Sequence, residues 1–225
     1  MCASHDRCGT ARVAQRLNRR AEANLDSALL RLIAITGEPG EPVEAVLEWA
    51  RAVVRGGATM VQLRAKEVAS GPLLELARDM VRSVNVPVIV NDRADIAILA
   101  GAAGVHLGAD DLPAARVRAL APEGFIIGAS VGSDDELGNA RGADYVGVGP
   151  VYSTASKTDA GSALGTAEAA RLIAASGLPG AGIGGITIAN ARAVVDAGAH
   201  GIAVLSALQR EPETAARALR SAIGK

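Results

Sequence analysis

The sequence predicts an α/β protein, a single (β/α)8 TIM barrel, from three observations. Short apolar runs rich in Val and Ile alternate, from residue 29 onward, with helix-length amphipathic segments. The runs are apolar throughout rather than alternating, which is typical of parallel strands buried on both faces. Eight such strand–helix units fit into residues 29–225, near the lower size limit of this barrel. A doubly wound open sheet is the alternative, but no G-x-G-x-x-G follows the first run, where a dinucleotide site needs it.

The predicted strands are, in chain order, residues 29–35, 59–63, 86–90, 104–107, 125–129, 145–148, 180–183 and 201–205. Helical spacing of apolar residues predicts helices that include residues 43–55, 72–84, 114–120, 167–174 and 189–197. Pro72 and Pro113 suit first-turn positions, where a missing N–H costs nothing. The domain prediction is therefore an N-terminal extension over residues 1–28 and a catalytic barrel over residues 29–225. The Arg-rich extension faintly resembles a transit peptide, and a solvated or barrel-capping helix is the simpler interpretation.

The composition excludes several classes of protein. The 225 residues carry a net charge of -1, which argues against a nucleic-acid-binding protein. The uncharged stretch at residues 96–109 is too short to cross a membrane. Cys2 and Cys8 both lie in the N-terminal tail, so no disulfide framework or cysteine metal site holds the barrel. The N-terminus also lacks an apolar signal segment, and we expect a cytoplasmic protein whose partners are small molecules. The sequence does not determine whether the protein forms a homo-oligomer.

Polar residues follow seven of the predicted strands, at the end of a TIM barrel that builds active sites. They are Gln62, Arg64 and Lys66; Asn91 and Asp92; His106, Asp110 and Asp111; Ser130; the turn that begins at Gly149; Gly184 and Gly185; and Ser206. A single polar residue after a strand is often a turn or a helix cap. Seven groups at one face of a barrel indicate a site.

Asp92 and Asp111 follow two strands that are neighbours in the predicted barrel. Two carboxylates on adjacent strand ends can hold one hard cation, and Mg2+ prefers one or two carboxylates completed by waters and substrate phosphates. The competing interpretation is that each aspartate caps the helix that follows it. Because two lysines accompany the pair, the sequence favours the metal.

Lys66 and Lys157 are the only lysines before the C-terminal residue, although the chain holds twenty arginines. With Arg64 and Mg2+ they predict a site for a diphosphate, whose departure they stabilise electrostatically. Gly184 and Gly185 follow the seventh predicted strand, and TIM barrels often bind a phosphate in the loops after the seventh and eighth strands, so a second anion site is expected there. His106 lies within an apolar run and is interpreted as a packed, hydrogen-bonded residue rather than a base.

Six motifs, taken together and in order, resemble the thiamine-phosphate synthase family. They are VQLRAK (61–66), VNDRAD (90–95), GVHLGADDLP (104–113), IGAS (127–130), DYVGVGPVY (144–152) with TASK (154–157), and IGGI (183–186). The resemblance implies a transferase that joins an aminopyrimidine diphosphate to a thiazole phosphate, giving thiamine phosphate and pyrophosphate. It implies that the pyrimidine diphosphate is held by Gln62, Arg64, Lys66, Asn91, Ser130 and Lys157. It also implies that Mg2+ is bound by Asp92 and Asp111, and that the thiazole phosphate is bound by Thr154, Ser156, Gly185, Leu205 and Ser206.

The chemistry that we expect is a dissociative substitution in which pyrophosphate leaves before the thiazole nitrogen attacks. Lys157 and Ser130, assisted by Lys66, are the predicted catalytic groups. The chain departs from the family's pattern at Ala65 and Gly37, where the family has acids, and at residues 131–132, where it often has Thr-His. The alternatives are a thiazole tautomerase-like isomerase, whose catalytic His would stand at Gly132, a phosphosugar isomerase, and a barrel that binds thiazole phosphate without turning it over.

Overall fold

The chain folds into a closed barrel of eight parallel strands, so the predicted (β/α)8 fold is confirmed. The computed structural model describes residues 25–38, 42–154 and 162–224. Each strand pairs with the next along the chain, and the eighth pairs with the first. The strands are β1 (Leu32–Ile35), β2 (Met60–Leu63), β3 (Val88–Asn91), β4 (Gly104–Leu107), β5 (Ile126–Val131), β6 (Tyr145–Val148), β7 (Gly180–Ile183) and β8 (Gly201–Val204).

The helices return the chain from the end of one strand to the start of the next. In the described residues they are α1 (Val43–Arg55), α2 (Ser70–Ser83), α3 (Ala94–Ala100), α4 (Ala114–Leu120), α5 (Gly165–Ser176), α6 (Ala191–Asp196) and α7 (Pro212–Ile223). The connection from β5 to β6 is instead a 3-10 helix, Asp134–Ala140. Gly138 and Asn139 lie inside it, and both are poor α-helix formers. As predicted, Pro72 lies in the first turn of α2, whereas Pro113 immediately precedes α4.

The first strand begins three residues later than the sequence predicts. Leu29 and Leu30 belong to a 3-10 helix, Ser27–Leu30, that is capped by the side chain of Asp26. Leu30 is fully buried and packs among residues of the barrel interior such as Ile33 and Met60. This turn therefore covers part of the interior beneath the strands. Residues 1–24 lie outside the described residues, so the extension over 1–28 stays a prediction.

Two hydrophobic layers hold the barrel together. The inner layer fills the barrel with side chains from alternate strand positions, including Ile33, Met60, Ile89 and Tyr145. The outer, larger layer packs the strands against the helices. Because both faces of each strand are buried, the strands read as continuous apolar runs. Among the described residues, no helix has the length and apolar character needed to cross a membrane.

Candidate active site

A cavity of about 710 Å3 opens among the carboxyl ends of the strands. Of the thirteen predicted site residues, eleven line it: Gln62, Arg64, Lys66, Asn91, Asp92, Asp111, Ser130, Thr154, Gly185, Leu205 and Ser206. The other two, Ser156 and Lys157, lie outside the described residues. Residues that are far apart in the chain meet here because parallel strands deliver their carboxyl ends to one face.

Asp92 occupies a tight turn directly after β3. Its φ is +63°, a left-handed conformation that few residues other than glycine adopt. The Arg93 N–H donates to the Asn91 carbonyl at 2.7 Å across this turn, and the Asp92 N–H donates to the His106 carbonyl at 2.8 Å. Such a conformation persists only where its surroundings fix it, and it is concentrated at functional sites. The turn sets the Asp92 carboxylate at the edge of the cavity.

Asp111 lies in the loop after β4, next to Asp92. The Gly108 N–H donates to Asp111 Oδ2 at 2.6 Å, which closes that loop on the carboxylate. Neither aspartate caps a helix: the residues at the caps of α3 and α4 are Arg93 and Pro113, and neither cap has a side-chain hydrogen bond. The competing helix-cap interpretation of the two aspartates is therefore wrong.

The surroundings of Asp92 change its protonation. Burial, a hydrogen bond to Asp111 and the charge of Asp111 raise the pKa of Asp92 to about 6, against the lowering effect of Lys66. Lys66 Nζ lies 3.4 Å from Asp92 Oδ2. Among the described residues, two partly buried carboxylates lie beside a single ammonium, so their negative charge exceeds the positive charge next to them. A divalent cation between them would offset this excess. No group of three or more His, Cys, Asp or Glu side chains suited to a metal occurs in the described ranges, so waters or substrate oxygens would have to complete its shell.

Glu38, in the loop after β1, holds the two basic residues that follow β2. Its carboxylate forms an ion pair with the Arg64 guanidinium and accepts a hydrogen bond from the Lys66 N–H at 3.0 Å. Thr36 Oγ1 adds to this by accepting from the Arg64 N–H and donating to the Arg64 carbonyl, both at 2.9 Å. Arg64 Nε is buried with no acceptor among the described residues.

A polar row crosses the floor of the cavity from β2 to β6. Gln62 Nε2 donates weakly to Asn91 Oδ1 at 3.4 Å. His106 Nε2 lies 3.0 Å from Ser130 Oγ, and His106 Nδ1 lies 3.0 Å from the Tyr145 hydroxyl. The prediction that His106 is a packed, hydrogen-bonded residue is confirmed, although His106 also lines the cavity.

The opposite wall is built from the loops after β6, β7 and β8. Gly184 and Gly185 have φ values of +95° and +62°. A Cβ at Gly184 would lie 2.7 Å from Pro150 Cα, and one at Gly185 would lie 2.6 Å from the Ser153 carbonyl. Only glycine allows both the conformation and this close approach. Thr154, Leu205 and Ser206 line the same wall.

The departures from the family's pattern have visible consequences. Ala65 is buried in the outer hydrophobic layer and does not line the cavity. Gly37 lies against Gln209, whose Oε1 would be 3.2 Å from a Cβ at position 37. A tautomerase would have its catalytic His at position 132. Here the residue is Gly132, and its N–H donates to Glu136 Oε2 at 2.7 Å, so a carboxylate lies beside this position.

Sequence reasoning missed two acidic residues at the site. Glu136 lines the cavity, and Glu38 contacts Arg64 and Lys66 beside it. Glu38 could have been predicted, because it stands three residues after the first predicted strand. The search for polar residues after each strand identified the other strand-end residues in the same way. Nothing in the sequence indicated Glu136, because it lies in the 3-10 helix after β5 and reaches the site only through the fold of that helix.

Comparisons with known proteins agree on one family. The profile of the family described as "Thiamine monophosphate synthase" matches residues 32–208. The chain is 48% identical to a thiamine-phosphate synthase from Methanoculleus marisnigri over 77% of this chain and 86% of the relative. It is 44% identical to a thiamine-phosphate synthase from Azorhizobium caulinodans over 86% of this chain and 95% of the relative. A solved structure of a thiamine phosphate pyrophosphorylase from Pyrococcus furiosus superimposes with a TM-score of 0.78 at 32% identity, covering 88% of this chain and 96% of that one.

Proposed function

The chain belongs to the thiamine-phosphate synthase family and is a transferase, and from this premise we propose how its cavity works. One half binds an aminopyrimidine diphosphate, and the other half binds a thiazole phosphate. The observation that carries the proposal is the enclosure of one cavity by two separate sets of anion-binding groups. The sets stand on strands β2–β5 and on the loops after β6–β8.

The pyrimidine diphosphate is proposed to lie against Gln62, Arg64, Lys66, Asn91 and Ser130, with Lys157 joining from the loop after β6. Arg64 supports this role because its side chain is only 15% exposed and pre-positioned by Glu38. A guanidinium held in place loses little freedom when it binds an oxygen anion. Lys66, about half exposed, supplies a mobile point charge beside Asp92.

Asp92 and Asp111 are proposed to hold Mg2+. The donor set fits this ion, because two carboxylate oxygens from neighbouring strand ends leave room for waters and diphosphate oxygens. When bound there, Mg2+ would neutralise part of the charge that collects on the departing pyrophosphate. The raised pKa of Asp92 supports this role, because burial and the neighbouring Asp111 carboxylate disfavour its negative charge and a cation would favour it.

The thiazole phosphate is proposed to bind at Gly185, Leu205 and Ser206, together with Thr154 and Ser156. Glycines at 184 and 185 bring the backbone of this wall close to its neighbours without side chains in the way. The two substrates would therefore lie in one cavity with their anionic groups apart. Holding both in line replaces a collision in solution by a reaction within one complex.

The reaction is proposed to be a dissociative substitution. The C–O bond between the pyrimidine methylene and the diphosphate breaks first, and the electron-rich ring shares the positive charge. The thiazole nitrogen then supplies the electron pair of the new C–N bond, and pyrophosphate keeps the pair from the broken bond. Lys157 and Ser130 are the contacts expected to strengthen as charge moves onto the leaving group, with Lys66 assisting.

The experiment that tests the proposal is pyrophosphate release from the purified protein with both substrates and Mg2+. We expect pyrophosphate and thiamine phosphate to form in equal amounts when both substrates are present. Isomerisation of thiazole phosphate without pyrophosphate would instead identify a tautomerase-like isomerase. Binding of thiazole phosphate without any turnover would identify a non-catalytic barrel.

A further inference from the structure

A chain of hydrogen bonds leads from the barrel interior to the cavity. It starts at the Tyr145 hydroxyl, which lies 3.0 Å from His106 Nδ1, and continues from His106 Nε2 to Ser130 Oγ, also at 3.0 Å. Tyr145 is 1% exposed and sits in the apolar inner layer, and His106 is 9% exposed. Ser130 alone of the three is only partly buried, and it faces the cavity with His106 behind it. Solvent therefore has little access to the first two groups.

The barrel makes room for this chain at two glycines. Strand register places Gly128 beside both His106 and Tyr145, and Gly147 beside Ser130. A Cβ at Gly128 would lie 2.5 Å from His106 Nδ1 and from the Tyr145 hydroxyl oxygen. A Cβ at Gly147 would lie 3.0 Å from His106 Cε1. The His106–Tyr145 pair thus depends on the absence of side chains at these strand positions.

The surroundings of Tyr145 decide which imidazole nitrogen carries the proton. A neutral imidazole has one N–H donor and one acceptor nitrogen. Burial raises the pKa of Tyr145 above its ordinary value, so the phenol keeps its proton. In the part of the chain that the structure describes, the hydrogen bond of the Tyr145 hydroxyl is to His106 Nδ1. If Nδ1 carried the proton, the buried phenol O–H would have no acceptor there.

The phenol therefore donates to Nδ1, which leaves the imidazole proton on Nε2. That N–H points at Ser130 Oγ and donates to it, so the serine's own proton cannot be directed at His106. It is available to a group in the cavity. Hydrogen bonds in such a chain polarise one another, and each donation strengthens the next.

We propose that Tyr145 is a positioning residue that holds His106 as its Nε2–H tautomer and thereby turns the Ser130 hydroxyl into a donor aimed at the diphosphate. This rests on the proposed function, because it assigns the Ser130 proton to a leaving-group oxygen. Tyr145 does not line the cavity, whereas His106 lines it beside Ser130. They act through Ser130, whose hydrogen bond would strengthen as the C–O bond breaks.

The tautomer is read directly by 15N NMR of the full-length protein labelled at histidine, without substrates. The chain has three histidines, and His106 is assigned by the loss of its signals in His106→Gln. We expect His106 to show a protonated Nε2 and an unprotonated Nδ1, and Tyr145→Phe to raise the Nδ1–H population. A protonated Nδ1 in the unsubstituted protein would overturn the proposal whether or not the protein makes thiamine phosphate.

A double-mutant cycle supplies the kinetic test. Tyr145→Phe should lower kcat about tenfold, a fraction of the loss expected for removing a direct donor to the developing anion, with KM for the pyrimidine diphosphate changed by less than about twofold. In a Ser130→Ala background the same change should have no further effect, because the hydroxyl that it orients is gone. Independent, multiplying losses would contradict the relay.

Tyr152→Phe is the matched control, since it removes the other phenol of the chain. The Tyr152 hydroxyl contacts the Asn190 carbonyl at 3.4 Å, away from the hydrogen-bond chain. We expect it to keep the unsubstituted kcat. A cooperative thermal transition is required of each variant before its kinetics are compared. If Tyr145→Phe does not fold, the NMR measurement on the unsubstituted protein still decides the proposal.

Discussion

Asp92 and Asp111 stand after neighbouring strands, close enough that Asp111 helps to raise the pKa of Asp92, and Lys66 Nζ lies 3.4 Å from Asp92 Oδ2. The pair is built by two different backbone devices. Asp92 sits in a left-handed turn, while Asp111 is held by the Gly108 N–H. Both devices fix a carboxylate that serves no helix cap, which is the arrangement that a cation and its anionic substrate require.

Removing either negative charge should weaken the use of Mg2+. We expect Asp92→Asn and Asp111→Asn to lower turnover by about a hundredfold or more and to raise the Mg2+ concentration for half-maximal rate, because each amide is a poorer ligand and leaves diphosphate charge uncompensated. Pyrophosphate release measured across a Mg2+ titration checks this. Glu123→Gln is the control, since Glu123 is exposed and does not line the cavity. Variants that titrate like the unsubstituted protein would remove the metal from these residues.

Without metal, the same pair should make stability depend on pH. The pKa of Asp92 is about 6 in the folded protein and 3.8 as its ordinary value, so the native state binds this proton more tightly than the unfolded state. The Asp92 contribution to the free energy of unfolding therefore falls as pH rises from about 4 to 7, by a few kcal/mol at most. Urea unfolding in EDTA, compared with Asp92→Asn, isolates it. Mg2+ should restore stability at pH 7 and have little effect at pH 4.5. A difference that does not change with pH would refute the coupling.

Glu38 should matter for one substrate only. We expect Glu38→Ala to raise KM for the pyrimidine diphosphate about fivefold and to leave KM for thiazole phosphate unchanged, because the Arg64 guanidinium loses the carboxylate that orients it. Steady-state kinetics with each substrate varied in turn measure both constants. Glu67→Ala, at an exposed position beside Lys66, is the control. A lower KM in Glu38→Ala would mean that the acid opposes the substrate's charge more than it positions Arg64.

Gly128 should be intolerant of a side chain. Its Cβ would collide with His106 and Tyr145, so we expect Gly128→Ala to destabilise the fold by about 1–3 kcal/mol, the cost of overpacking a core. Gly71→Ala in α2 meets nothing within 4 Å and should stabilise the protein by about 0.5–1 kcal/mol through helix propensity. Denaturant midpoints of the two variants give the comparison. Equal effects of both substitutions on stability would show that the barrel interior accommodates a methyl group at position 128.

The barrel was predictable because its strands, buried on both faces, appear as continuous apolar runs, and because its amphipathic helices show apolar residues at helical spacing. The Asp92–Asp111 pair was predictable from strand adjacency alone. The left-handed turn at Asp92 was not, since residue type does not reveal that an aspartate must adopt it. The contacts of His106 with Ser130 and Tyr145 were also out of reach, because they depend on the register of three strands and on the space left at Gly128.

The mechanism predicts a steep response to the electronics of the pyrimidine. In the described part of the cavity, Asp92 pairs with Lys66, Asp111 and Glu136 each accept a hydrogen bond from a backbone N–H, and His106 contacts Ser130. In the proposed mechanism the chain stabilises the departing anion, and the pyrimidine itself carries the positive charge that develops.

An electron-withdrawing substituent on the ring should slow turnover strongly, because it destabilises that cation, while binding of the diphosphate changes little. Single-turnover measurements with substituted and unsubstituted substrates, at saturating thiazole phosphate and Mg2+, separate the chemical step from product release. The matched comparison is a substituent of similar size without electron withdrawal, which should leave the rate near that of the natural ring. If the withdrawing group instead speeds the chemical step, the thiazole nitrogen attacks before pyrophosphate leaves, and the substitution is associative.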